Sequence, residues 1–494
     1  MERTNRVPMR VAELPHRPVT VMDRSDVGSA SEQAGARIPT PLAWRVAAVA
    51  VLAGGLVVGF EAAGGSAARW IVILFASVLV VGLVPILIGS RRPPITPGAL
   101  ARTESEILPT ILVLVAGRDE AGVLPNLIAD LGAQDYREPD GKPRFAVTVV
   151  DDRSGDGTGD AVRTAAAAHG IASVVRVVRR EGPALADGKG AALASARPEA
   201  ADAEVIAILD ADARIGAGYL RRAAQYVAAG VPALTARRRT LQAGRSTLAT
   251  IQADEQTQDG ELQRGRWASG GCSEFRGNGI VIRRDLLAAV GGIPAASLTE
   301  DLDLSTRLAA ERGVTVAWAL DLEAWEEAVP SWRGLWRQRL RWSEGAIRRQ
   351  FQLGPGVLRS SRLPLRGRWD FAAYGAQLVA PPLILGAVAG ALAFRSPMLA
   401  VGLIASYLAA GGILAFSALR WQPDGQGRPL RIPERLARST RVALFSTIWL
   451  AAVNGALWRL ATRRGSVRFD KTARGSAGPS AGPATITHDG TVGQ

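Results

Sequence analysis

Val149-Val150-Asp151-Asp152-Arg153-Ser154-Gly155-Asp156-Gly157-Thr158 is the stretch that decides the fold. An apolar, β-branched run ends in two acids. A Ser/Gly/Asp turn follows, and Thr158–His169 then reads as a helix. These turn residues would serve equally as an ordinary turn with a helix cap, so their meaning depends on what surrounds them.

Outward from this unit the pattern repeats. Candidate strands lie at Thr110–Ala116, Phe145–Val150, Ser173–Val178, Glu204–Leu209 and Ala233–Arg237, and candidate helices at Ala121–Leu131, Thr158–His169, Lys189–Ala196 and Gly218–Ala229. Alternation at this spacing predicts an α/β domain with a mostly parallel sheet. Ligands of such sheets bind at the carboxyl ends of the strands.

Three further motifs follow. Ile206-Ala207-Ile208-Leu209-Asp210-Ala211-Asp212 is a second acid-ended strand. Carboxylates two residues apart on an extended chain point the same way, so both can face one metal ion. A departing diphosphate needs its charge neutralised, which a divalent ion supplies. Thr299-Glu300-Asp301-Leu302-Asp303 opens a helix. A cap and acids near the helix dipole account for it locally. Its functional reading makes Asp301 a general base that removes a proton from an acceptor hydroxyl. One base and no enzyme nucleophile give a single displacement with inversion. Gln338-Arg339-Leu340-Arg341-Trp342 lies within Ser331–Gln352, where Trp332, Leu335, Trp336, Leu340, Ile347 and Phe351 recur at near-helical spacing among Arg333, Arg337, Arg348 and Arg349. A basic, Trp-bearing amphipathic helix suits a bilayer interface.

Composition bounds the partners. The formal net charge is +14 and 48% of the 494 residues are hydrophobic. The arginines gather beside apolar runs and no zinc-finger, RNP or helix-turn-helix pattern is present, so nucleic acid is not an expected partner. The single cysteine, Cys272, gives no disulfide framework. His16, His169 and His488 are far apart, which argues against a His-rich zinc site. Any metal must be held by carboxylates, which favours Mg²⁺ or Mn²⁺.

Apolar runs near 43–63, 70–89, 371–394, 397–419 and 442–460 approach the length of a bilayer span. The expected organisation is a disordered tail over 1–40, two transmembrane helices over 41–92, a catalytic domain over 105–330, an interfacial segment over 331–368, about three transmembrane helices over 369–462 and a disordered tail over 463–494. Basic residues flank the first pair on both outer sides, which places the N-terminus and the catalytic domain in the cytoplasm of a plasma-membrane protein. Five full spans would leave the basic C-terminal tail outside, so either the last run does not cross or the positive-inside tendency fails here.

The order Asp151-Asp152, Asp210-Ala211-Asp212, Thr299-Glu300-Asp301 and Gln338-x-x-Arg341-Trp342 resembles the family-two inverting glycosyltransferases of the cellulose, chitin and hyaluronan synthase type, over roughly Leu108 to Glu344. The resemblance implies a GT-A fold, a UDP-sugar donor and Mg²⁺ or Mn²⁺. It implies that Asp151 and Asp152 contact the uridine, that Asp210 lies in the donor pocket and that Asp212 ligates the metal. Asp301, beside Glu300, matches the base. Gln338, Arg341 and Trp342 match the motif that grips the diphosphate and lines the acceptor channel. Gly117-Arg118-Asp119-Glu120 stands where the family has an Arg-Asn-Glu turn, which assigns Arg118 and Glu120 to the donor. Asp187-Gly188-Lys189-Gly190 matches its Gly-Lys turn and assigns Lys189 likewise.

A narrower similarity, to the β-monoglucosyldiacylglycerol synthase group, runs through Gly270–Gly279 with Arg283-Arg284, Gln252–Arg264 and Trp325-Glu326-Glu327, with Ile280-Val281 departing from that group's Gln-Phe pair. It implies transfer of one glucose from UDP-glucose to diacylglycerol in the bilayer, with Arg276 and Asn278 on the acceptor side. The alternative is a processive β-polysaccharide synthase of the cellulose or poly-N-acetylglucosamine type, whose channel the three C-terminal runs would supply. Intact acids at every motif disfavour a non-enzymatic membrane scaffold.

Overall fold

The computed structural model describes residues 40–100, 108–182, 187–423 and 428–463. The tails expected over 1–40 and 463–494 lie outside the described residues, apart from Thr40 and Arg463. Two helices come first, α1 (Leu42–Gly64) and α2 (Ala68–Ser90). The α/β domain follows as β1 (Ile111–Gly117), α3 (Leu124–Gly132), β2 (Phe145–Asp152), α4 (Thr158–Ala168), β3 (Val175–Arg180), α5 (Lys189–Ser195), β4 (Val205–Asp210), β5 (Arg214–Ile215), α6 (Tyr219–Ala228), β6 (Ala233–Leu241), α7 (Thr247–Ala268), β7 (Ile280–Arg283), α8 (Arg284–Ala289), α9 (Glu300–Arg307) and β8 (Ala317–Glu327). Then come α10 (Trp332–Arg359), α11 (Leu365–Gly375), α12 (Ala380–Phe394), α13 (Met398–Ala418), α14 (Ile432–Phe445) and α15 (Thr447–Thr462).

All five expected strands form and start within two residues of their expected positions. With β5, β7 and β8 they make one eight-stranded sheet, ordered β3-β2-β1-β4-β7-β6-β8-β5. The expectation of a mostly parallel sheet holds, with β7 and β5 as the two exceptions. Strands β3, β2, β1 and β4 are mutually parallel, as are β6 and β8, but β7 runs antiparallel between β4 and β6, and β5 antiparallel to β8. The link from β6 to β7 is the long helix α7 and a glycine-rich loop rather than a simple crossover, so β7 enters from the opposite edge.

Register explains why the acids meet. Gly117 pairs with Asp151, and Ala116 with Asp210. The carboxyl ends of β2, β1 and β4 therefore stand side by side, about 4.8 Å apart per strand. Alternate residues of β1 enter different cores. Ile111, Val113 and Val115 join one apolar cluster, Leu112 and Leu114 the other. Both faces are covered, which is why these strands read as unbroken apolar runs.

Among the described residues, five segments are long and apolar enough to cross a membrane: Leu42–Gly64, Ala68–Ser90, Leu365–Phe394, Met398–Trp421 and Ile432–Thr462. The Ala/Gly content of α1 has a packing cause. A Cβ on Gly59 would stand 2.5 Å from the Leu383 carbonyl oxygen, and one on Gly386 would stand 2.5 Å from that of Leu56. Small residues four apart on α1 and α12 let the two backbones touch. The end of α2 seats on α7, where Arg92 donates to the Ala268 carbonyl at 2.7 Å and Arg264 to that of Arg92 at 3.0 Å.

The last apolar segment is not one helix. It breaks at Ser446 between α14 and α15. Arg438 and Arg441 of α14 both reach buried Asp254 of α7. The far end of α15 comes back against α1 and α10, where Ala456, Leu457 and Leu460 cluster with Ala48, Leu340 and Ile347.

The amphipathic segment also needs correction. Its helix, α10, exposes Trp332, Arg333, Trp336 and Arg337, but Arg348 and Arg349 are buried. Arg348 pairs with Glu344 at 2.9 Å and donates to the Thr40 hydroxyl at 2.6 Å, and Arg349 pairs with Glu274 at 2.9 Å. Only part of the basic face is available to a bilayer. The rest fastens α10 to the catalytic domain.

Candidate active site

The turns after β1 and β2 are laced together. Ser154 Oγ accepts from the Asp119 N–H at 2.9 Å and Asp119 Oδ1 accepts from the Gly155 N–H at 2.8 Å. Thr158 Oγ1 accepts from the Glu120 N–H at 2.9 Å, and Asp156 Oδ2 accepts from the Ala121 N–H at 3.0 Å. Asp119 has φ 54°, a left-handed conformation that Asn and Asp tolerate best. It thus meets both demands on this position, an acceptor oxygen and a positive φ. The Ser/Gly/Asp composition is needed for the turn itself, and it sets Arg118 and Glu120 at the mouth of the site.

A cavity of about 640 Å³ starts there. It is lined by Arg118, Glu120, Asp152, Lys189, Asp210, Asp212, Arg276, Glu300, Asp301, Gln338, Arg341 and Trp342. Asp151 and Asn278 are not among the lining residues. Asp151 is 1% exposed, accepts from the Ser154 N–H at 3.1 Å and pairs with Arg179 at 3.0 Å. Asn278 is also 1% exposed. Its Oδ1 accepts from the Asp210 N–H at 3.2 Å and its Nδ2 donates to Glu326 at 3.3 Å. The acceptor-side expectation for Asn278 is therefore corrected, because it braces the wall from behind. Asp152 reaches the cavity but is held by Arg153 and Arg180, at 3.0 and 2.8 Å.

Lys189 is the hub of the cavity floor. It pairs with Asp210, donates to the Gly277 carbonyl at 2.9 Å and lies 3.5 Å from Glu300. Burial opposes its charge, but Asp210 and then Glu300 outweigh burial, and its pKa is raised. Asp301 faces the same space. Burial first, and the neighbouring Glu300 charge second, lift its pKa to about 6, against the pull of Lys189 and Arg276. A carboxylate poised in this way suits proton transfer near neutral pH.

Arg276 does line the cavity, tied to Asp259 at 2.8 Å, Glu274 at 3.2 Å and the Tyr374 hydroxyl at 3.0 Å. Burial alone would raise Glu274, yet Arg349, Arg266 and Arg276 hold its carboxyl at about 2. This fully ionised hub fixes the Arg276 loop to α7 and α10.

Several lining residues escaped the sequence reading. Arg238 pairs with Glu326 and stands 6.0 Å from the Trp342 ring. Gln256 donates to Glu326 at 2.6 Å. Glu255 and Asp259 line the wall from α7. A readable signal existed: Gln252, Glu255, Gln256, Asp259 and Gln263 form a polar stripe at three- and four-residue spacing, the mark of one helix face. Trp449 stacks on Trp342 with centroids 6.3 Å apart and planes 18° from parallel. It lies in an apolar run and gave no local sign.

An open sheet that gathers carboxylates and cations at the carboxyl edge of its parallel half, with a helix from beyond the domain closing over them, is the arrangement of a GT-A-like glycosyltransferase. Residues 109–345 match the glycosyltransferase-like family 2. The catalytic domain belongs to that family, and the protein is a glycosyltransferase. The chain is 29% identical over 384 residues to a β-monoglucosyldiacylglycerol synthase of Trichormus variabilis, spanning 75% of this chain and 78% of that one. It is 28% identical over 399 residues to the synthase of that name from Synechocystis sp., spanning 78% and 79%. Among solved structures, the mannosyltransferase PcManGT of Pyrobaculum calidifontis, in complex with GDP-Man and Mn²⁺, aligns over 82% of this chain and 98% of its own, at 21% identity and a TM-score of 0.46.

Proposed function

We propose that the protein is an integral plasma-membrane enzyme, with its catalytic domain cytoplasmic, that moves glucose from UDP-glucose to the hydroxyl of diacylglycerol and forms a β-glycosidic bond. One observation carries this reading. The cavity that holds Asp301 and the strand-end acids also takes in Leu414, Leu450 and Val453 from the apolar helices. An acceptor that lives in the bilayer can reach the base without leaving it. The names of the relatives support the same acceptor.

Among the cavity-lining residues, Arg118, Glu120 and Asp152 would bind the nucleoside, and Lys189, Gln338, Arg341 and Trp342 the diphosphate. No group of three or more acidic, His or Cys side chains able to hold a metal is found among the described residues. Asp210 and Asp212 both line the cavity, and Mg²⁺ or Mn²⁺ would need only one or two such carboxylates, with substrate phosphate and water completing the shell. Asp212 would hold the ion, with Asp210 nearby engaged by Lys189. When bound, it would neutralise charge on the leaving diphosphate. Asp301 takes the proton of the acceptor hydroxyl as that oxygen bonds to the anomeric carbon. The bond from that carbon to the diphosphate breaks, UDP departs with the electron pair, and the centre inverts.

A second reading, processive β-polysaccharide synthesis, draws on the three C-terminal apolar segments, Leu365–Phe394, Met398–Trp421 and Ile432–Thr462, which would supply a secretion channel. Purified protein incubated with radiolabelled UDP-glucose or UDP-N-acetylglucosamine, with and without diacylglycerol, separates the two. A one-sugar product soluble in organic solvent is expected, and a high-mass polymer would transfer the conclusion to the second reading. Asp301→Asn is expected to abolish transfer while UDP binding survives, and full activity in that variant would remove the base assignment.

A further inference from the structure

The cavity lining joins two chemistries. Besides ionic residues such as Lys189, Asp210 and Asp301 it includes Pro381, Leu414, Leu450 and Val453, contributed by three different apolar segments. The boundary is built with care. Glu255 accepts from Trp449 Nε1 at 2.7 Å and pairs with Arg339, whose guanidinium carbon stands 4.6 and 4.9 Å from the Trp342 and Trp449 ring centroids. Both indoles are thereby fixed, and the charge of Glu255 is satisfied before the wall turns apolar, as a buried carboxylate requires. The helix break at Ser446 is held by Tyr407, whose hydroxyl donates to the Ser446 carbonyl at 3.0 Å. It aims α15, and with it Trp449, Leu450 and Val453, into the cavity. The outer side of the same segments is exposed, Val379 at 51% and Trp458 at 62%, where a bilayer would lie.

We propose that this apolar half is an acyl-chain subsite for the lipid acceptor. Pro381, Leu414, Leu450 and Val453 hold the hydrocarbon, and the Trp342–Trp449 pair orients the hydroxyl-bearing end toward Asp301. The inference rests on the glycolipid reading above. Moving a chain from bilayer to apolar cavity changes little hydrocarbon–water contact, so selection comes from shape and length rather than from hydrophobic drive. A polysaccharide strand, hydroxylated on its edges, would leave these walls unmatched.

Chain-length dependence tests the subsite. In the full-length protein, kcat/KM is measured for diacylglycerols of short and long acyl chains, with UDP affinity followed by calorimetry. Val453→Trp fills the apolar end. It is expected to lower kcat/KM for the long-chain acceptor at least tenfold and for the short-chain acceptor far less, with UDP affinity within twofold. Leu450→Ala, which enlarges the space and guards against a folding failure of the first variant, is expected to shift the preference toward longer chains. Equal losses on both acceptors, or unchanged length preference in both folded variants, would overturn the subsite. A wild-type enzyme that glycosylates no diacylglycerol would overturn the glycolipid reading itself, and that outcome is seen before any variant is made.

Discussion

Glu300→Gln should move the acid limb of the pH–rate profile to lower pH. Asp301 sits at about 6 rather than 3.8 because burial, and then the charge of Glu300, disfavour its ionised form. A base must be ionised to accept a proton. With a pKa of about 6, roughly nine-tenths of the enzyme is competent at pH 7, half at pH 6 and about one-eleventh at pH 5. kcat/KM for the acceptor should therefore fall about tenfold per pH unit below about pH 6. In Glu300→Gln the like charge is gone. Lys189, 3.5 Å from Glu300 in the wild type, is also no longer shared with it. Both changes favour the Asp301 carboxylate, so the limb should move down by on the order of one pH unit. The plateau itself can drop, because Lys189 loses a partner, so the position of the limb is the readout. Initial rates at subsaturating acceptor, across the stable pH range, measure it. A limb that stays in place, or moves up, refutes the assignment of Asp301 as the titrating base.

Excess EDTA should stop transfer and added Mg²⁺ or Mn²⁺ restore it, with Asp212→Asn raising the metal concentration required; UDP release that continues unchanged in EDTA excludes the ion. Gly59→Leu should force α1 off α12, since its Cβ would meet backbone atoms at 2.5 and 2.6 Å. Overpacking of this kind costs about 1–3 kcal/mol or more and should lower the melting temperature in detergent, so an unchanged Tm would show that the helices do not meet there. Because Ile432–Thr462 breaks at Ser446 and α15 returns toward α1 and α10, a C-terminal tag should be accessible from the side of the catalytic domain. Accessibility only from the opposite face would show that the segment crosses.

How much could be read in advance follows from how local each signal is. Asp151-Asp152 and Asp210-Ala211-Asp212 were legible because a strand and the acids that end it are neighbours in sequence. Register then brings separate strand ends together without further information. Strand β7 was missed because four residues give too short a pattern, and its antiparallel entry depends on the route taken by α7. Asn278 resembled an acceptor contact by motif, but its amide is consumed inside the wall by Asp210 and Glu326. Arg348 and Arg349 read as part of a basic, interface-suited helix because spacing on a helix does not tell a lipid-facing stripe from one that meets buried Glu344 and Glu274. Trp449 had no local signature, since an aromatic in an apolar run is the ordinary content of a membrane helix.

The acids of α7 show why so much of the site was non-local. Asp254 pairs with Arg438 and Arg441, Glu255 with Arg339, Asp259 with Arg276, and Glu261 with Arg264 and Arg420. One helix thus meets α10, α13's end, α14 and the loop before β7 through separate charges. Each pair adds little net stability once desolvation is counted, but stripping a buried acid such as Asp254 or Glu261 of both its arginines leaves an uncompensated buried charge and costs about 3–5 kcal/mol. That asymmetry favours a unique arrangement over a merely stable one. The apolar segments, which could slide against one another with small changes in packing, are pinned to the catalytic domain at fixed positions. The distance from Asp301 to the apolar side of the cavity is then set by ion pairs. The glycolipid synthesis proposed above needs that distance held, because its acceptor would stay in the membrane while its donor comes from water.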